Sequence, residues 1–262
     1  MCFNFHHLKI DYKDGQKWAL MEPDYKALNQ IYHDWQLGMQ ENEGWNAVFW
    51  CNHDQPRIVS RLGDDQKYWK ESAKMLATSI HMLRGTPYIY QGEEIGMTNA
   101  YYKDISQYRD VESLNYYRIL LDKGKSKEEA LEILGARSRD NSRTPMQWDD
   151  STNAGFTSGT PWIMSPENYK KINVKSQLTD NDSIHQYYKE LIRLRKEKNA
   201  ISVGDISFID TDNEQIFAYK RTCGQQELVV ICNWKNTECE LEISGTYHKL
   251  LGNYADGQQK VC

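Results

Sequence analysis

Residues 45–57 read WNAVFWCNHDQPR, and no other stretch restricts the fold of this chain as tightly. Val48, Phe49 and Trp50 form a short run of β-branched and aromatic residues, which predicts a strand buried on both faces. The run breaks at Asn52, His53 and Asp54, and Pro56 stops the strand from continuing. Strands covered on both faces belong to parallel sheets, and in parallel α/β folds ligands bind beyond the carboxyl ends of the strands. The triplet is therefore either a polar cap on a strand end or a site. Its chemistry suits a site: a carboxylate beside an imidazole stabilises positive charge and orients hydroxyls, as an oxocarbenium-like transition state on a sugar ring requires.

The flanking sequence repeats the same unit. Phe3-Asn4-Phe5 alternates like a strand, and Tyr25, Leu28, Ile31, Tyr32, Trp35 and Met39 then recur at helical spacing behind Asp24 as N-cap. A second helix is expected on Trp69, Ala73, Leu76, Ala77, Ile80 and Leu83, closed by Gly85. A third strand follows at residues 87–90 and ends in Gln91-Gly92-Glu93-Glu94. The order β-α-β-α-β predicts parallel strands with right-handed crossovers. Residues 97–175 form a long excursion with one evident helix, opened by the capping box Ser126–Glu129. Ile184, Tyr188, Leu191 and Leu194 mark a last helix. Alternating strands are then expected at 206–209, 216–221, 228–233 and 240–243, as a small antiparallel sheet. The reading divides the chain into residues 1–199, with the excursion as an insertion, and residues 200–262.

A net charge of −5 over 262 residues gives no reason to expect nucleic acid or an anionic membrane as partner. No run is long and apolar enough to span a bilayer, and the N-terminus lacks the basic-then-apolar order of a signal peptide. The six cysteines are scattered without a CxxC pair, so neither a metal nor a cofactor is expected. They read as free thiols in a reducing cytoplasm.

FWCNHDQPR resembles a signature region of the α-amylase superfamily, in its α-glucosidase branch. TPYIYQGEEIGM (86–97), ARSRDNSRTPMQWDD (136–150) and NAGFTSGTPW (153–162) resemble the last barrel strand, the arginine loop and a neighbouring segment of the same branch. The resemblance implies a fold of about three C-terminal βα units of a TIM (β/α)8 barrel followed by the small β-domain. It implies retaining glycoside hydrolysis, with Asp54 as the transition-state carboxylate and His53 beside it. Asn52, Arg57 and one of Arg139 and Arg143 are the implied sugar-binding residues, and spacing does not separate the two arginines. Glu93 and Glu94 are expected to organise loops rather than to act as acids.

The loop FNFHHLKIDYKDGQKW (3–18) resembles that of trehalose-6-phosphate hydrolases, where neutral-sugar glucosidases usually carry an acidic residue in place of His6. Lys9 and Lys17, assisted by His6 or His7, are the expected ligands of a sugar phosphate, while Lys13 remains open between ligand and solvent. A neutral oligo-1,6-glucosidase and a non-catalytic sugar-binding remnant are the alternatives. The family takes its nucleophile and general acid from barrel strands four and five, which the resemblance puts before Met1. The chain is thus expected to be the C-terminal part of a longer product. It should be inactive alone, with the missing N-terminal half as a partner and a closing strand beyond Cys262.

Overall fold

The strand at the centre of the first sheet is β2 (Asn46–Phe49), all four of whose residues are buried. The computed structural model describes residues 1–254. Here β1 (Cys2–Phe3) and β3 (Thr86–Tyr88) flank β2 on either side, both parallel to it. Phe3 lies opposite Ala47 and Tyr88 opposite Phe49. Because side chains alternate across a strand, these four share one face, and Val48 points to the other. The Val48 face is covered by α1 (Tyr25–Glu41), α2 (Ile58–Leu62) and α3 (Trp69–His81). Asp24 caps α1 as expected, accepting from the Ala27 N–H at 2.8 Å. Gly85 is required where α3 returns to β3: its φ is +150°, and a Cβ there would lie 2.5 Å from the Asn46 carbonyl.

Two strands are shorter than the sequence suggests. Phe5 leads into a 3-10 turn at His6–Lys9, so β1 ends at Phe3. β3 ends at Tyr88 because its partner β2 stops at Phe49 and turns away into the polar triplet. The excursion holds two helices, not one: α4 (Val111–Asp122) and α5 (Lys127–Arg137) pack around their own core of Trp18, Tyr102, Tyr108, Tyr117, Leu120, Ala130 and Leu134. Helix α4 escapes a periodicity reading because Ser113 lies on its buried face while Val111 and Ile119 stand in solvent. The Ser126–Glu129 capping box forms.

After α6 (Val174–Thr179), α7 (Ile184–Glu197) and α8 (Asn199–Ser202) comes an antiparallel sheet of β4 (Asp205–Phe208), β5 (Ile216–Cys223) and β6 (Gln226–Asn233). The fourth strand expected at 240–243 does not form. Leu241 and Ile243 are half-buried and Glu240 and Glu242 exposed, so the alternation is present, but no strand pairs with it. The expected closing strand lies outside the described residues. One apolar core joins α1, α3 and α7 to this sheet through Leu28, Leu76, Leu191, Phe217 and Trp234. Arg221, fully buried, fixes the seam by donating to the Gly204 carbonyl at 2.7 Å and to that of Met82 at 2.5 Å. Among the described residues no helix is long and apolar enough to cross a membrane.

Candidate active site

The chain leaves β2 through Cys51 and turns at Asn52, whose side-chain oxygen accepts the Asp54 N–H at 2.8 Å. This short turn presents His53 and Asp54 at the carboxyl end of the sheet, with side chains 71% and 44% exposed. Cys51 beneath them is buried, which pushes its thiol up to about 11 and leaves it inert.

The arginine loop comes back over this turn. Arg143 donates to Asp54 Oδ1 at 2.6 Å and through Nε to the His53 carbonyl at 2.8 Å. Asp54 Oδ2 lies 3.3 Å from His53 Nε2. Arg139 stands farther from Asp54, at 3.7 Å, and gives a two-pronged grip to Asp110 at 2.8 and 3.1 Å. Arg143 thus holds the Asp54 turn, while Arg139 is held chiefly by Asp110. Asp110 is buried and also lies 3.6 Å from Arg143. Burial raises its pKa, but the hydrogen bond and charge of Arg139 and the charge of Arg143 outweigh this and keep the carboxyl below its ordinary range. From Arg139 the network runs on to Glu112 at 3.2 Å and from Glu112 to Lys17 at 2.7 Å.

Asp110 and Glu112 were not singled out from sequence. The available signal is the pair of carboxylates in YRDVE, one at the N-cap of a helix and one in its first turn, but without the fold nothing places it opposite the arginines.

Arg57 requires a correction. It is 2% exposed and donates to the carbonyls of Asn141 at 3.1 Å and Gln91 at 2.6 Å. Its burial removes it from the side chains that can touch a ligand at Asp54; it ties the arginine loop to the end of β3. The basic loop divides as well. His7 is buried against Phe49 and Trp50, and burial, with Arg61 nearby, lowers its pKa to about 3. It is neutral at physiological pH and supplies no cation, contrary to expectation. His6 is exposed and bonded to the Asn4 side chain at 2.6 Å, and Lys9 is exposed. Lys17 lies over the Trp18 ring; burial lowers its pKa against the pull of Glu112.

The base of this loop is fixed by a second ionic cluster. Asp11 accepts from Arg61 at 2.6 and 2.8 Å and from Arg137, and the Tyr12 ring lies 5.4 and 5.3 Å from the two guanidinium groups. Glu93 is buried, accepts from the Tyr188 hydroxyl at 3.0 Å, and is pushed up to about 7 by burial. Glu94 accepts the Gly92 N–H at 2.7 Å. The Glu93 carboxylate thus ties the turn after β3 to α7, and that of Glu94 closes the turn itself.

A carboxylate fixed by an arginine at one oxygen and exposed beside an imidazole can hydrogen-bond neighbouring hydroxyls of a sugar and stabilise positive charge on its ring. A family model described as the catalytic domain of alpha amylase matches residues 1–204. This chain belongs to the alpha-amylase family. It is 54% identical to a trehalose-6-phosphate hydrolase of Bacillus subtilis (strain 168) over 91% of its own length and 42% of the relative's. It is 48% identical to an oligo-1,6-glucosidase of Bacillus cereus over 93% of its length and 44% of that protein. The solved structure of a Bacillus licheniformis trehalose-6-phosphate hydrolase mutant superimposes with a TM-score of 0.90 at 59% identity, covering 92% of this chain and 43% of the other. The parallel βα units are thus part of a TIM-barrel glycosidase fold. The chain spans less than half the length of these relatives.

Proposed function

We propose that the protein to which this chain contributes hydrolyses the α-glucosidic bond of trehalose 6-phosphate in the cytoplasm, with retention and with water as acceptor. The observation that carries the reading is the exposed Asp54, held by Arg143 and flanked by His53 at the carboxyl end of β2. In this reading Asp54 and His53 bind ring hydroxyls of the glucosyl unit and stabilise its oxocarbenium character, while Asn52 shapes the turn and Arg143 keeps Asp54 aligned. The nucleophile and the general acid are carboxylates from the part of the barrel that this chain does not span. The phosphate is bound by Lys9 and Lys17 with His6 assisting; Lys17 sits where the basic loop meets the Asp110–Glu112–Arg139 network.

A second reading, a neutral oligo-1,6-glucosidase, draws support from the Lys17–Glu112 pair, which already neutralises one of the cations. The test uses a continuous polypeptide in which this chain follows the preceding portion of the Bacillus licheniformis hydrolase. Lys9→Ala and Lys17→Ala should each lower kcat/KM on trehalose 6-phosphate by about tenfold or more, since a charge-assisted hydrogen bond contributes roughly 1.5–3 kcal/mol. Activity on unphosphorylated trehalose should stay unchanged. Equal losses on both substrates, or none, would transfer the case to the neutral glucosidase.

A further inference from the structure

Cys51, which leads into the Asn52–Asp54 turn, and Arg57, which follows it after Pro56, both line a cavity of about 10 Å³, room for one water molecule. Glu93 and Tyr188 complete its polar wall, and Val59 and Met97 belong to the apolar one. All six residues are buried, so side chains of this chain close the cavity. Two polar groups on the wall are incompletely matched. Glu93 Oε1 accepts from the Tyr188 hydroxyl at 3.0 Å, but Oε2 is buried with no protein partner among the described residues. A buried carboxyl oxygen left bare is costly, so Oε2 needs a partner from the cavity. Arg57 is the second group. It donates through Nε to the Asn141 carbonyl, through Nη1 to that of Gln91, and through Nη2, at 3.5 Å, to Ser142 O and Thr144 Oγ1. These acceptors are all neutral, although Glu93 lines the same cavity. Nη1 carries two protons, and Gln91 takes one.

We propose that this cavity holds one water molecule that links Arg57 Nη1 to Glu93 Oε2, and that through this bridge Glu93 positions the turn bearing His53 and Asp54. A buried water needs at least two polar partners, and the two groups supply them, with the Cys51 thiol as a weak third. The water donates to Oε2 when Glu93 is ionised and accepts its proton when Glu93 is neutral, so the bridge exists in both states. One enclosed water gives a hydrogen bond and not bulk solvation, and burial still pushes the carboxyl up to about 7. Arg143 grips the turn from the arginine loop. The bridge ties the root of the same turn to the segment after β3 and, through Tyr188, to α7. Glu93 thereby acts on Asp54 without touching a substrate. The positioning role rests on the hydrolase reading; the water does not.

The experiment determines crystal structures of the continuous polypeptide, unsubstituted and with Glu93→Leu or Glu93→Gln, at a resolution that shows ordered water, and pairs them with kinetics on trehalose 6-phosphate. The unsubstituted protein should show one water within hydrogen-bond distance of both Glu93 and Arg57. Glu93→Leu, similar in volume but apolar, should expel it and lengthen the 2.6 Å contact between Asp54 and Arg143. Its kcat should fall about tenfold to a hundredfold with KM unchanged, as misalignment of a group that acts in the transition state does. Glu93→Gln keeps an acceptor for Tyr188 and a donor for the water, so it should restore both the water and kcat. A cavity without water in the unsubstituted protein, or a water that does not reach Arg57, would overturn the bridge, and this arm needs no variant to fold. Glu93→Leu with full kcat, or Glu93→Gln as impaired as Glu93→Leu, would overturn the positioning. An unsubstituted polypeptide that shows the water but does not turn over trehalose 6-phosphate would overturn the hydrolase reading and leave the bridge intact.

Discussion

Asp11 and Asp54 each sit between two arginines, and solvent separates their roles. The Asp11 side chain is 3% exposed, and its partners Arg61 and Arg137 are 3% and 4% exposed. Around Asp54 the corresponding figures are 44%, with 24% for Arg143 and 28% for Arg139. Burial pushes the Asp11 carboxyl up, but hydrogen bonds and charge from Arg61 and Arg137 more than offset this and hold it below its ordinary range. Its oxygens are spent on protein partners, so it offers nothing to a ligand and fixes the loop base instead. Asp54 gives one oxygen to Arg143 and leaves the other facing His53 and solvent. The same residue types thus make a staple where water is excluded and leave a carboxylate open to solvent where it is not.

The comparison breaks most readily at Asp11. Asp11→Asn leaves two guanidinium groups buried without a counter-charge, which should destabilise the continuous polypeptide by about 3–5 kcal/mol in urea unfolding. A loss below about 1 kcal/mol would show that water reaches this cluster as it reaches Asp54.

Glu93 sharpens the role of burial alone, because no cation closes on it in the way that Arg61 closes on Asp11. Its native pKa is raised from 4.5 to about 7, so the folded state binds the proton more tightly than the unfolded chain. The stability it contributes is complete below about pH 4.5 and is lost as pH rises through about 7. The difference is on the order of 3 kcal/mol. Glu93→Gln should flatten that part of the stability–pH curve, measured by thermal unfolding from pH 4 to 8. Curves that remain parallel would place the Glu93 carboxyl in contact with bulk water.

Asp110 lies between the two extremes: buried itself, it grips an arginine that is partly exposed. Asp110→Asn should cost about 1–2 kcal/mol, less than Asp11→Asn, because solvent can rehydrate Arg139. A loss as large as that at Asp11 would put Arg139 in a closed cluster as well.

The strand that breaks into Asn52-His53-Asp54 was legible because its signal is local: an apolar run, a polar stop and a proline within thirteen residues. The parallel order of the three βα units followed from the same local patterns. What the sequence did not disclose depends on burial across long separations. Arg57 reads as one more polar residue of the motif, and only the approach of Asn141 and Gln91 shows that it is enclosed. His7 reads like His6, yet Phe49 and Trp50 surround it. Arg139 is gripped by Asp110, the residue that precedes a helix whose apolar residues spread around its surface and hide its period.

The central claim is that Asp54 is a catalytic face and not a staple, and Asp54→Asn in the continuous polypeptide tests it most directly. As the carboxylate of a half-exposed ion pair, Asp54 should contribute less than about 1 kcal/mol to stability, so urea unfolding should hardly move. Turnover of trehalose 6-phosphate should fall by about a hundred- to a thousandfold, the usual loss when one transition-state stabiliser is removed. Turnover that survives the substitution, or an unfolding shift as large as that of Asp11→Asn, would contradict the account.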